Sequence, residues 1–150
     1  MTTRYRLADL AVLQGQAIGT SDWVTVAQSH IDQFAQPTGA EQWIHVDPAR
    51  AAAGPFGTTG AHGFLTLSLL SRLFADAIAF DDVRMSLNYG LNRVRFPSPV
   101  PVGSRLRAVC VLAAHEAIAG GVQLTLGVTV EREGGAKPAC VAEWVTRHLD

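Results

Sequence analysis

A chain of 150 residues with 48% hydrophobic residues, 17% charged residues and a formal net charge of −1 has the composition of a folded protein, not a disordered one. So small a charge gives no electrostatic basis for binding nucleic acid or an anionic membrane, and no apolar run reaches the ~18–20 residues that a membrane span needs. One domain is expected, in the cytoplasm by default, because MTTRYRLADLAVL lacks the sustained apolar core and small-residue cleavage site of a secretory signal.

Segment 17–26 (AIGTSDWVTV) reads as a first strand. Residues 28–36 place Ile31, Phe34 and Ala35 at i, i+3 and i+4, the spacing of a short amphipathic helix that Pro37 and Gly39 should end. Pro48 opens a further short helix through Ala53, with Asp47 placed to cap it, and residues 54–57 form a loop. From Gly63 to about Phe80 the chain is strongly apolar. Phe64, Leu67, Leu70, Phe74 and Ile78 lie near helical spacing while Leu65, Leu69 and Leu73 fill a second face, which predicts a central helix buried on several sides.

The remainder alternates as strands do. Residues 83–96 predict a strand interrupted near Gly90, after which Pro97, Pro99 and Pro101 force an extended connection. Val122, Leu124, Leu126, Val128 and Val130 alternate with polar or small residues, and residues 104–113 and 138–148 do so more loosely. Gly120-Gly121 and Gly134-Gly135 supply the hairpin turns. One buried helix followed by antiparallel strands predicts an α+β fold in which a sheet wraps the helix and a second subunit completes its open surfaces. Cys110 and Cys140 form no CxxC pair and read as buried, reduced thiols. No HExxH or comparable ligand spacing is present, so no metal is expected, and neither GxGxxG nor GxxxxGK[ST] occurs.

Three blocks stand out: TGAEQWIHVDPARA (38–51), GPFGTTGAHGFLTLSLLSRL (54–73) and NYGLNRVRFPSPVPVGSRLR (88–107). Together they resemble the MaoC-like, or hydratase-2, branch of the hot-dog superfamily, especially its short single-domain members. The resemblance implies a hot-dog fold, a homodimer, and reversible hydration of an enoyl thioester to an (R)-3-hydroxyacyl thioester. Coenzyme A or an acyl carrier protein would enter as part of the substrate, with no separate cofactor.

The family pattern runs Gly-Asp-x-(Asn or Gln)-x-x-His, and here Ala40 stands where the acid is expected. The resemblance implies that His45 and an aspartate hold a water jointly, one removing a proton and the other supplying one. Imidazole suits this exchange because its ordinary pKa lies near neutrality. A methyl group neither accepts nor donates a proton, so Ala40 predicts severe impairment, through either a deliberate inactivating change or a natural departure. Glu41 is the neighbouring acid that could replace the missing one.

Gly63, at the start of the central helix, can offer a free backbone N–H to the thioester oxygen, with glycine leaving room for the acyl group. His62 reads as fixing its loop through a hydrogen bond. By resemblance Ser71 orients the missing acid, although a helix serine also bonds backbone carbonyls. Gln42 is a candidate to hold His45 or the thioester. Arg93 and Arg95, with Arg105 and Arg107, form the main basic cluster and can meet the phosphates of coenzyme A. Two rival functions fit the same features: a non-catalytic acyl-binding or partner subunit, and a thioesterase using Glu41.

Overall fold

The computed structural model describes residues 1–150, Met1 to Asp150. Its main sheet has the order β2 (Ala17–Thr20), β6 (Arg105–Ile118), β7 (Gly121–Arg132), β8 (Cys140–Leu149) and β5 (Met85–Arg95), every pair antiparallel. β3 (Val24–Thr25) also pairs with β6. The strand alternation read from sequence decides which face is buried. Leu106, Ala108, Cys110 and Leu112 of β6 join Leu124, Leu126, Val128 and Val130 of β7 in the core. Ala142 and Trp144 of β8 complete that face. Against it pack α4 (Gly63–Ser68) and α5 (Leu70–Ala77) through Leu65, Leu70, Leu73 and Ala77. This is the α+β hot-dog arrangement.

Several local expectations need correction. The helix read over 63–80 is two segments and ends at Ala77. Ser68 Oγ donates to the Phe64 carbonyl at 2.7 Å, a side-chain bond that competes with the helix ladder just before the break at Leu69. Ile78–Phe80 then becomes β4, paired in parallel with β1 (Thr3–Tyr5). A short continuous apolar run has no periodicity that separates helix from strand, and here β-branched Ile78 adopts the extended form. Phe64, placed on the buried face, is 71% exposed.

The strand read over 17–26 is broken into β2 and β3 at Ser21–Trp23. Helix α1 (Gln28–Thr38) runs through Pro37 and stops at Gly39, whose φ of 66° is the left-handed C-cap conformation. Pro37 costs α1 little because it occupies the exposed last turn, where Thr38 Oγ1 donates to the Phe34 carbonyl at 2.6 Å. The interruption near Gly90 is present as a shift of the β5–β8 register between Asn88 and Gly90. α3 (Pro48–Ala52) forms as read, with the Asp47 carboxylate accepting from Arg50 N–H at 3.1 Å. Cys110 and Cys140 are free and buried, and burial pushes their thiols up to about 12 and about 11. No helix is long and apolar enough to cross a membrane.

Candidate active site

His45 lies in α2 (Trp43–Val46), a single helical turn that hydrophobic periodicity cannot register. The turn forms because the Gln42 carbonyl accepts from His45 N–H at 2.9 Å and from Val46 N–H at 3.3 Å. It is then tied to the loop before α4, where Gly60 N–H donates to the Ile44 carbonyl at 3.1 Å. The extended proline segment holds that loop in turn: Ala61 N–H donates to the Val100 carbonyl at 2.8 Å.

These ties fix the imidazole. His45 Nδ1 lies 2.8 Å from the Gly60 carbonyl oxygen, which can only accept, so Nδ1 carries the proton and Nε2 keeps a lone pair. Burial lowers the pKa of His45 below its ordinary value; the Gly60 carbonyl opposes this and the neighbouring His62 adds to it. The neutral ring therefore predominates at pH 7.

His62 is buried and stacks on His45, with ring centroids 4.0 Å apart and planes 27° apart. Its Nε2 donates to the Ala40 carbonyl at 2.7 Å. One ring thus touches both positions 40 and 45, and the two halves of the sequence signature converge on it. His62 Nδ1, left as an acceptor, and the Thr66 hydroxyl one helical turn later are both buried without a hydrogen-bond partner. Glu41 is exposed and makes no hydrogen bond to either histidine. Gln42 contributes its backbone carbonyl to α2, and its side chain makes no hydrogen bond.

Gly63 opens α4, and its N–H has no partner within the chain. A Cβ at Gly63 would meet the Phe96 ring at 3.2 Å, so glycine at this position also makes room for an aromatic side chain of the same chain, and the two residues line one cavity. Ser71 lies on α5 and lines a cavity with Trp144 and His148, whereas His45 lines another with Phe56, Thr59 and Pro99. Ser71, read as orienting an acid at position 40, makes no side-chain hydrogen bond within the chain, and it lines a different cavity from His45.

The basic cluster is divided. Arg93 and Arg95 are exposed on the edge strand β5, while Arg105 and Arg107 lie on β6, three strand spacings or about 14 Å away. The latter two are engaged already: Arg105 pairs with Glu133 and Arg107 with Glu131, each at 2.7 Å, and both stand over Trp23. Within this cluster, only Arg93 and Arg95 on β5 are without an ion pair. Sequence spacing could not show this, because cross-strand partners are set by register.

Gln28 was missed by sequence reasoning. Its amide donates to the His45 carbonyl at 2.8 Å while its oxygen accepts from Thr59 Oγ1 at 2.5 Å, linking α1, α2 and the loop before α4. No motif marks it. Only its place in the first turn of α1, facing α2, gives it that work.

With the geometry established, comparison with known proteins identifies relatives. The family described as MaoC like domain matches residues 10–133. The 3-hydroxyacyl-thioester dehydratase Z of Mycobacterium tuberculosis H37Rv is 56% identical over 150 residues, covering 99% of each chain. An (R)-hydratase from A. caviae involved in PHA biosynthesis has 25% identity and a TM-score of 0.70, covering 89% of this chain and 94% of that one. An unliganded R-hydratase from Pseudomonas aeruginosa shares the fold with a TM-score of 0.77 at 22% identity, covering 97% of this chain and 86% of that one.

Proposed function

The chain belongs to the MaoC-like domain family, and on that premise we propose that it binds an enoyl or 3-hydroxyacyl thioester in the site around His45 and carries an incomplete form of the hydration machinery. The supporting observation is the fixed His45 tautomer, whose Nε2 lone pair is available beside the ring that holds position 40. Hydration adds water across the double bond: oxygen attacks C3 and a proton reaches C2. His45 Nε2 takes the proton from water, and the Gly60 carbonyl steadies the imidazolium that results. Negative charge moves onto the thioester oxygen, where the unpartnered Gly63 N–H is the donor to meet it. A carboxylate at position 40 would share the water and the return of the proton to C2. Alanine leaves His45 to perform both transfers.

The reading requires binding even where turnover is poor. Titration calorimetry with a short enoyl-CoA is expected to show saturable, one-site binding that is competed by the corresponding 3-hydroxyacyl-CoA. Absence of heat with both thioesters would remove it. Thioesterase chemistry has less support, because Glu41 is exposed and makes no hydrogen bond to either histidine.

We further propose that two copies pair through β5. It is the free edge of the sheet, is eleven residues long, and exposes Met85, Leu87, Tyr89 and Leu91 by 44%, 42%, 59% and 40%. A long apolar edge is a template for another strand, and a two-fold axis would make it self-complementary. Light scattering is expected to give a dimer for this chain and a monomer for the Tyr89→Lys/Leu91→Lys double variant. A monomer in both proteins would refute this arrangement.

A further inference from the structure

A second cavity, of about 380 Å3, lies between α5, β4, β5 and β8. Phe74, Ile78, Phe80, Val83 and Trp144 give it an apolar body. Its polar groups are all uncharged side chains of one strand face and the facing helix. Ser86 and Asn88 are two apart on β5, and their register partners are His148 and Thr146 on β8. Ser71 faces them from α5.

Counting protons shows what these groups lack. Trp144 Nε1–H donates to Asn88 at 2.7 Å; indole has only a donor, so the amide oxygen faces it and the Asn88 NH2 is left without a partner. His148 lies 2.9 Å from Ser86 Oγ through Nδ1 and 2.8 Å from Thr146 Oγ1 through Nε2. Burial pushes its pKa down to about 4, so it is neutral at pH 7, with one N–H and one lone pair. Two hydroxyls and one neutral imidazole hold three polar protons but make only two hydrogen bonds, so one O–H remains. Thr146 is buried and Ser86 is exposed, and an unpartnered donor is costlier in the buried position. Thr146 therefore donates to His148, His148 donates to Ser86, and the Ser86 proton is the spare one. The Ser71 hydroxyl, too, has no partner within the chain.

From this donor inventory we propose that the cavity binds the distal part of an acyl chain bearing a neutral oxygen substituent, such as a hydroxyl or a carbonyl, which accepts from Ser86, Asn88 and Ser71. The proposal rests on the reading of the chain as an acyl-thioester binder. A carboxylate fits poorly because no cationic side chain lines the cavity to offset its desolvation. Ser71 is eight residues beyond Gly63, about 12 Å along the helical rise, so the substituent lies far from the thioester and not at C2 or C3.

Calorimetry with decanoyl-CoA and with its terminally hydroxylated analogue tests this. The hydroxylated chain is expected to bind about threefold to tenfold more tightly, the range one net hydrogen bond supplies. Ser86→Ala, whose folding is checked by its urea midpoint because it also removes the acceptor of the buried His148 N–H, should reduce that preference and leave decanoyl-CoA affinity within about twofold. Equal or weaker binding of the hydroxylated chain overturns the inference while leaving acyl-thioester binding in place. A preference unchanged by Ser86→Ala overturns the donor assignment, and failure of both thioesters to bind overturns the underlying reading as well.

Discussion

Ala40→Asp is expected to raise the hydration rate of a short enoyl-CoA by about 10²–10⁴-fold, followed as loss of the enoyl absorbance. That range is what one positioned acid–base group contributes, equivalent to about 3–5 kcal/mol of barrier. Position 40 is prepared for the exchange. Its carbonyl is held by His62 Nε2 at 2.7 Å, and the opposite side of the same interaction is the ring that stacks on His45. The backbone at position 40 is thus already held against the ring that packs on His45. His45→Gln in the Ala40→Asp background should return the rate to near the level of the starting chain, because the two groups divide one proton cycle and act as a unit. Glu41→Gln should change nothing. No gain from Ala40→Asp would deprive the hydratase reading of its mechanism, and a Glu41→Gln variant that abolishes residual turnover would transfer the acid's role to that residue. The gain should also diminish at acid pH. Burial holds the His45 pKa below its ordinary value, so the neutral base persists through pH 7 and is lost only as the pH falls through that lowered pKa.

The second large effect concerns stability, and it arises from His148. In the unfolded chain this imidazole takes up a proton near pH 6.5, whereas in the folded protein burial holds its pKa down to about 4. Between those values the unfolded state binds more protons. Stability contributed by His148 is therefore fully present above about pH 6.5 and is lost progressively as the pH falls to about 4. The whole span corresponds to about 3 kcal/mol, a large share of the 5–15 kcal/mol that holds a typical domain. Urea midpoints at neutral pH and near pH 4 measure it. Carboxylates also titrate in this range, so the informative quantity is the difference from His148→Asn, which retains hydrogen-bonding capacity for Ser86 and Thr146 but cannot take a proton there. The variant should be less stable at neutral pH and much flatter toward acid. Parallel pH profiles for the two proteins would contradict this assignment.

Much of the architecture was legible because it rests on period. The alternation of Val122 to Val130 names the buried face of β7, and the glycine pairs mark the hairpins on either side. Legibility failed where two periods compete or where the element is too short to have one. Ile78–Phe80 continued the apolar run of the helix yet pairs with β1, and α2 is one turn long although it carries His45. Pro37 was overvalued as a stop because the sequence does not show that it falls in the final exposed turn of α1, where water can meet the carbonyl that loses its N–H donor.

The amino-acid order by itself determined the family signature, the α+β pattern, the histidine at position 45 and the absence of an acid at position 40. These depend on residue identity and spacing, which are local properties of the chain. Tertiary structure alone decided that His62 bridges positions 40 and 45, that Gln28 holds the His45 carbonyl, and that Arg93 and Arg95 are separated from the paired Arg105 and Arg107. It likewise made the spare protons of Ser86 and Asn88 face one cavity. Each of these depends on register, burial and hydrogen-bond direction between segments distant in sequence, and such relations exist only once the strands have paired and the helix has docked on them.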